Sequence, residues 1–315
     1  MHDIIDQYGR TFKTLRVSLL SACNLGCVYC TLGENTDMFK KAQAPVQNFL
    51  DHISKLHKEL DLETIRLTGG EPLLYHDLPL LVEGIRAMGI PDIKITTNGF
   101  MLERLAKSLK AAGLQSVNVS LDAADEATFY RMSKRRGLQK VLNGIDAALE
   151  AGLEVKINTV IMRDLNDDQI LPLAQYAFSK NIQIRFLEVM AMGHLHQHAD
   201  QYLYTQEEVL AHMSGAYSFK PEVRKSSATA NYWRTSEGHS FGMIANESQP
   251  FCHDCNRLRL DAQGNIYGCL SSNNPITIKG LDSREELRNS LNQALLQKQT
   301  LKFTGSELSM LEIGG

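Results

Sequence analysis

All six cysteines of this 315-residue chain fall into two groups of three. Cys23, Cys27 and Cys30 stand in SACNLGCVYC at spacing C-x3-C-x2-C; Cys252, Cys255 and Cys269 stand in FCHDCNRLRLDAQGNIYGC at C-x2-C-x13-C. Thiolates are soft ligands that select iron–sulfur clusters, zinc or Cu(I). Structural zinc takes four closed ligands, usually in pairs, so a compact trio suits it poorly. Three thiolates hold three irons of a [4Fe–4S] cluster and leave the fourth open to another ligand. His253 offers the second trio a Cys3His zinc site, and that alternative stays open here. Buried inert thiols are the bland alternative for either trio.

Cations form the second constellation. Arg16, Arg66, Lys156 and Arg185 each lie on a different strand-like run, and Arg257 and Arg259 alternate so that one strand face presents both. The formal net charge is −3, so no overall positive field exists to hold nucleic acid or an acidic membrane. An anionic substrate must be held by a local cluster such as this one, and Arg's planar fork suits phosphate. His194, His196 and His198 also alternate, but nothing there signals a strand, and a solvated loop is expected. No serine-hydrolase elbow or P-loop motif appears.

The elements that position these residues are legible as alternating strands and helices. Strands are expected at 15–20, 64–68, 92–97, 116–121, 154–162 and 183–189, apolar runs rich in Val and Ile and bounded by Gly, Asn or Asp. Between them run amphipathic patterns, for example Val46, Phe49, Leu50, Ile53, Leu56 and Leu60 on one helix face. Repeated β–α units with right-handed crossovers imply a parallel sheet, as an open doubly wound sheet or a partial barrel, with ligands at the carboxyl ends of the strands. Past residue 195 the alternation fails, so 1–195 and 196–315 are read as two regions. The second holds a hairpin at 257–270 and a helix at 283–296. Hydrophobic residues make up 43% and charged residues 22%, enough for a large core, which excludes a disordered chain and a disulfide-stapled miniprotein. No apolar run spans a membrane, and the N-terminus lacks a secretory pattern, so a reducing cytoplasm is expected.

CNLGCVYC after the first strand resembles the radical S-adenosylmethionine (SAM) superfamily. TGGEP (68–72), TTNG (96–99) and NVSLD (118–122) fall in order on successive strand ends. The second trio with CNRLRL, and the terminal Gly314-Gly315, resemble the GTP 3′,8-cyclase family of molybdopterin (molybdenum cofactor) biosynthesis. The resemblance implies a partial (β/α)6 TIM-type barrel with a C-terminal extension that closes it and carries a second cluster. It implies a lyase with two [4Fe–4S] clusters and SAM. Cys23, Cys27 and Cys30 would hold the catalytic cluster, and Cys252, Cys255 and Cys269 the second, whose open iron faces the purine near Asn256. Tyr29, Gly69, Gly70, Glu71, Ser120 and Met190 would bind SAM, with Glu71 taking its ammonium. Arg16, Arg66, Thr96, Lys156, Arg257 and Arg259 would bind GTP, and the last two count among the catalytic residues. The radical would take the ribose C3′ hydrogen, and C3′ would then bond to guanine C8. The Gly-Gly tail would thread into the site. Implied partners are GTP, a reductant and the next enzyme of the pathway, with a homodimer allowed. The alternatives are a radical SAM enzyme with one extra cluster acting on another nucleotide or a peptide, and a zinc-binding module. The chain departs from the family pattern at Asn24-Leu25-Gly26, at Tyr75-His76 and at AMGHLHQHAD after Met190.

Overall fold

The computed structural model describes residues 4–31 and 43–314. Six strands, β1 (Thr14–Ser18), β2 (Thr64–Thr68), β3 (Asp92–Thr97), β4 (Ser116–Ser120), β5 (Glu154–Ile161) and β6 (Gln183–Glu188), lie side by side in chain order, all parallel. The crossovers carry α1 (Val46–Leu60), α2 (Leu78–Ala87), α3 (Leu102–Ala112), α4 (Glu126–Ser133), α5 (Leu138–Glu150) and α6 (Ile170–Ser179). Local chemistry sets their ends. Gly113 closes α3 at φ 110°, where a side chain would be strained, and Asp125 opens α4 by accepting from Thr128 N at 2.8 Å.

The remaining elements extend this sheet at both sides. After α7 (Gln206–Ser214) come β7 (Phe219–Pro221), β8 (Asn231–Thr235) and β9 (Ser240–Ile244), and β9 pairs in parallel with β6. Then β10 (Arg257–Leu260) pairs in parallel with β1, followed by β11 (Asn265–Tyr267), β12 (Ile276–Thr277), α8 (Arg284–Leu296) and α9 (Met310–Ile313). The result is one sheet of twelve strands in the order β12-β11-β10-β1-β2-β3-β4-β5-β6-β9-β8-β7. No pairing joins β7 to β12 among the described residues, so strand-to-strand closure is not part of the observed sheet.

One face of the sheet is apolar. Leu15, Val17, Ile65, Leu67, Ile93, Ile95 and Ile157 are fully or almost fully buried in the main core, where α1, α2, α3 and α5 also bury their apolar stripes. The opposite face alternates with it and is polar, unlike the continuous apolar runs of a parallel sheet covered on both sides. Polar residues from β1 through β6, and from β8 and β10, line a single cavity of about 700 Å³. A flat sheet would spread those strands over more than ~30 Å at ~4.8 Å each. Lining one cavity therefore requires the sheet to curve around it.

Helix α8 seats directly on Gly268, beside Cys269. A Cβ there would come within 1.7 Å of the Ala294 carbonyl oxygen, and Gly268 N donates to Gln297 Oε1 at 2.9 Å. We expect Gly268→Ala to cost about 1–3 kcal/mol by overpacking, read as a lower denaturation midpoint.

Candidate active site

The first chamber, about 190 Å³, is lined by Cys23, Cys27 and Cys30 together with Tyr29, Gly69, Gly70, Ser120 and Met190. Its cysteine loop is held from several sides. Cys30 N and Thr31 N both donate to Cys27 O, at 2.9 and 3.0 Å, which folds the loop into a turn. Gly26 N and Val28 N donate to the Ser133 and Met132 carbonyls, both at 2.9 Å, tying the loop to the end of α4. Gly70 N and Glu71 N donate to the Leu20 and Ala22 carbonyls, at 2.6 and 2.8 Å. A Cβ at Gly70 would lie 2.2 Å from the Ala22 carbonyl oxygen. The glycine pair thus admits the backbone that leads into the cysteine loop.

Glu71 lies behind this chamber and is not on its wall. Its carboxyl accepts from Thr97 Oγ1 (2.6 Å), Asn98 N (2.7 Å) and Leu73 N (2.9 Å), so it ties the TGGEP loop to the TTNG loop. Tyr29 donates its hydroxyl to Asp122 Oδ2 at 2.8 Å, and Asp122 also accepts from Val160 N at 2.9 Å. Asp122, the last residue of NVSLD, to which the sequence assigned no role, is pushed up to about 6 by burial. His194 sits half-buried in a short turn and donates from Nε2 to Val28 O at 2.9 Å, so it is a strut of the cysteine loop and not a solvated residue. His198 is exposed.

The second chamber is the 700 Å³ cavity, on whose wall lie Cys252, Cys255 and Cys269. Every residue expected to bind GTP lines it: Arg16, Arg66, Thr96, Lys156, Arg257 and Arg259. Strand register explains how. Arg16 on β1 is opposite Arg259 on β10 and Arg66 on β2, and Arg66 is opposite Lys94 on β3. Four cations thus stand in one row across four adjacent strands, at ~4.8 Å spacing. Like charges directly opposite destabilise a sheet. Burial, then the charges of Arg259, Arg66, Arg257 and Arg185, hold Arg16 well below the usual guanidinium range. Burial also brings Arg66 and Arg259 down to about 10, which leaves both charged at neutral pH. On β6, Arg185 is 8% exposed, and its Nε and Nη2 are buried without an acceptor, while Asn158 Oδ1 on the neighbouring strand is buried without a donor. A polyanion supplies the acceptors that Arg185 lacks. Lys156 instead already pairs with Glu154 at 2.9 Å, and Arg257 donates to Ser227 O at 3.1 Å.

Thr96, Asn158, Leu187, Met190 and Met310 line both chambers, so the two share a wall. The C-terminal segment covers this junction: Met310 faces both spaces, and the Ile313 and Gly314 carbonyls accept from Arg259 Nη1. Gly315 lies outside the described residues.

The thiol trios fit clusters chemically. Burial pushes Cys23 up to about 11 and Cys30 up to about 12, and it raises Cys27 well above the usual thiol range, as do Asp122 and the neighbouring thiols. Such a trio ionises only around a strongly cationic group. In the second trio burial again opposes ionisation, but Lys298 and Arg257 outweigh it and bring Cys255 down to about 6. Among the described residues no three His, Cys, Asp or Glu side chains close around a single ion.

Comparison with known proteins agrees with this geometry. Residues 17–177 match the family model of the Radical SAM superfamily, and residues 182–304 match that of Molybdenum Cofactor Synthesis C. A Synechocystis protein named GTP 3′,8-cyclase is 36% identical over 312 residues, 99% of this chain and 95% of its own. One of the same name from Aquifex aeolicus is 34% identical, covering 95% of this chain and 92% of its own. Among solved structures, Streptococcus suis SuiB bound to SAM superposes with a TM-score of 0.66 at 13% identity, over 91% of this chain and 68% of that one. The SAM-bound enzyme anSMEcpe gives 0.59 at 14%, over 89% and 82%. At such identities these two report the fold alone. The chain belongs to the radical SAM superfamily and, within it, to the family whose curated members are named GTP 3′,8-cyclase.

Burial pushes the Glu71 carboxyl up to about 7 from its ordinary 4.5, against the pull of its three donors. Between those values the folded protein holds a proton that the unfolded chain has released, so stability falls as pH rises through that window. Denaturant melts at stepped pH are expected to show this slope, and Glu71→Gln to flatten it.

Proposed function

We propose that this chain converts GTP to (8S)-3′,8-cyclo-7,8-dihydroguanosine 5′-triphosphate, the first step of molybdopterin synthesis. The observation that carries this reading is the row of Arg259, Arg16, Arg66 and Lys94 in a cavity that also bears the second thiol trio and shares a wall with the first. When bound, SAM and the clusters supply the reducing electron and a 5′-deoxyadenosyl radical.

The chain's own residues do the rest. Cys23, Cys27 and Cys30 hold the catalytic cluster, and Cys252, Cys255 and Cys269 hold the second. Gly69, Gly70, Ser120, Met190 and Tyr29 shape the SAM chamber; Glu71 acts on it through the loops it ties together. Arg16, Arg66 and Arg259 grip the triphosphate, with Arg257, Lys156 and Thr96 on the same wall. Their fixed forks orient the ribose toward the shared wall, and orientation of this kind is a large part of catalysis. Arg259 exchanges the tail carbonyls for phosphate oxygens. A carbon radical needs a site from which water and stray hydrogen donors are excluded, and bound SAM and GTP would fill the two chambers that Met310 of the C-terminal segment lines. Asn256 lies on the cavity wall beside Cys255, which supports a contact with the purine. A reductant and the next enzyme of the pathway are the partners this reading requires, in a reducing cytoplasm.

Anaerobic reconstitution, iron and sulfide counting, and product analysis with GTP, SAM and dithionite test the reading. Two clusters per chain and the 3′,8-cyclised nucleotide are expected; colourless zinc protein or unchanged GTP overturns it. Cys27→Ala is expected to abolish 5′-deoxyadenosine formation, measured by chromatography. Arg16→Ala should leave both clusters intact yet weaken GTP binding by about 2–5 kcal/mol, the cost of losing a desolvated charge contact, measured calorimetrically.

A further inference from the structure

Lys298, just beyond α8, is a buried cation without a carboxylate. It is 7% exposed, and its ammonium lies 3.6 Å from Cys255 Sγ, donates to the Arg257 carbonyl and sits 4.8 Å over the Phe12 ring. Among the described residues no acid pairs with it, and burying an unpaired ammonium costs several kcal/mol. Its other charged neighbours, Arg257 and Arg10, carry the same sign. Among the described residues, the groups beside it that can become anionic and act on it most are the thiols of Cys255 and Cys269. The first trio has the opposite surroundings: Glu71 acts on Cys23, and Asp122 on Cys27.

From this contrast we infer that Lys298 is the positioning cation of the second cluster, holding the Cys255 sulfur through an N–H···S bond and making that cluster easier to reduce. The inference rests on the two-cluster reading above. A cation and a hydrogen bond at a ligating sulfur both stabilise the added electron. Arg10 supports the same loop by donating to the Cys252 carbonyl at 2.7 Å, so the trio is held from two sides. The fold places this group deliberately: Lys298 follows the helix that seats on Gly268, next to Cys269.

The test is an EPR-monitored redox titration of the reconstituted protein, with the two signals assigned by Cys27→Ala. Lys298→Met is expected to lower the potential of the second cluster and leave the first unchanged, while Lys298→Arg, which keeps charge and donors, stays near the parent value. An unshifted second cluster in Lys298→Met overturns the inference, as does an equal shift in both variants, which would mark a packing role. Should Lys298→Met lose the second cluster, retention in Lys298→Arg supports the inference and loss from both overturns it. Protein that holds iron for one cluster only overturns the two-cluster reading, and the inference with it.

Discussion

Repulsion between like charges is the constraint on which this molecule turns. The register of β10, β1, β2 and β3 forces Arg259, Arg16, Arg66 and Lys94 into one row; burial weakens the screening of the three arginines, while Lys94 at the end of the row is paired with Asp92 at 2.6 Å. The apolar face of the same strands, packed under α1, α2, α3 and α5, holds that row in place. The core therefore does more than stabilise the fold: it keeps a set of cations closer than they would choose to be, ready for a polyanion. Catalytic sites commonly store unfavourable electrostatics of this sort, because preorganised charge need not rearrange when the ligand arrives.

The C-terminal region is best understood through the same sheet. β10 contributes Arg257 and Arg259 by pairing with β1, and the hairpin it begins delivers Cys269. β9 pairs with β6 at the other side, where β8 brings Tyr232 to the cavity. Strands distant in sequence thus complete a wall that the first six begin.

Much of this was legible in the sequence. β2 and β3 have the bounds expected from their apolar runs. β1 ends earlier, at Ser18, because Leu20 leaves the ladder to accept from Gly70 N. α4 escaped notice because it is short, and α6 because it is apolar nearly all round, so its buried stripe of Ile170, Leu173, Ala174, Ala177 and Phe178 does not stand out. The alternation left an open sheet and a partial barrel equally open, and only the resemblance favoured the barrel, since curvature depends on how strands twist together and not on any one strand's pattern. In the site, cysteines and arginines announced themselves by type and spacing. Glu71 did not reveal that protein donors already occupy it, and Asp122 closes the NVSLD motif without revealing its bond to Tyr29; Lys298 gave no signal, because its partner Cys255 lies far away along the chain.

Thr96, Asn158, Leu187, Met190 and Met310 line both chambers and so form the partition between them. In the proposed reaction, a short-lived species generated on one side would have its target directly across these side chains. Two of the five gateposts are methionines, unbranched and compliant, so the doorway can adapt to the shape of what passes. Fidelity in such a molecule is then a property of the doorway as much as of either room.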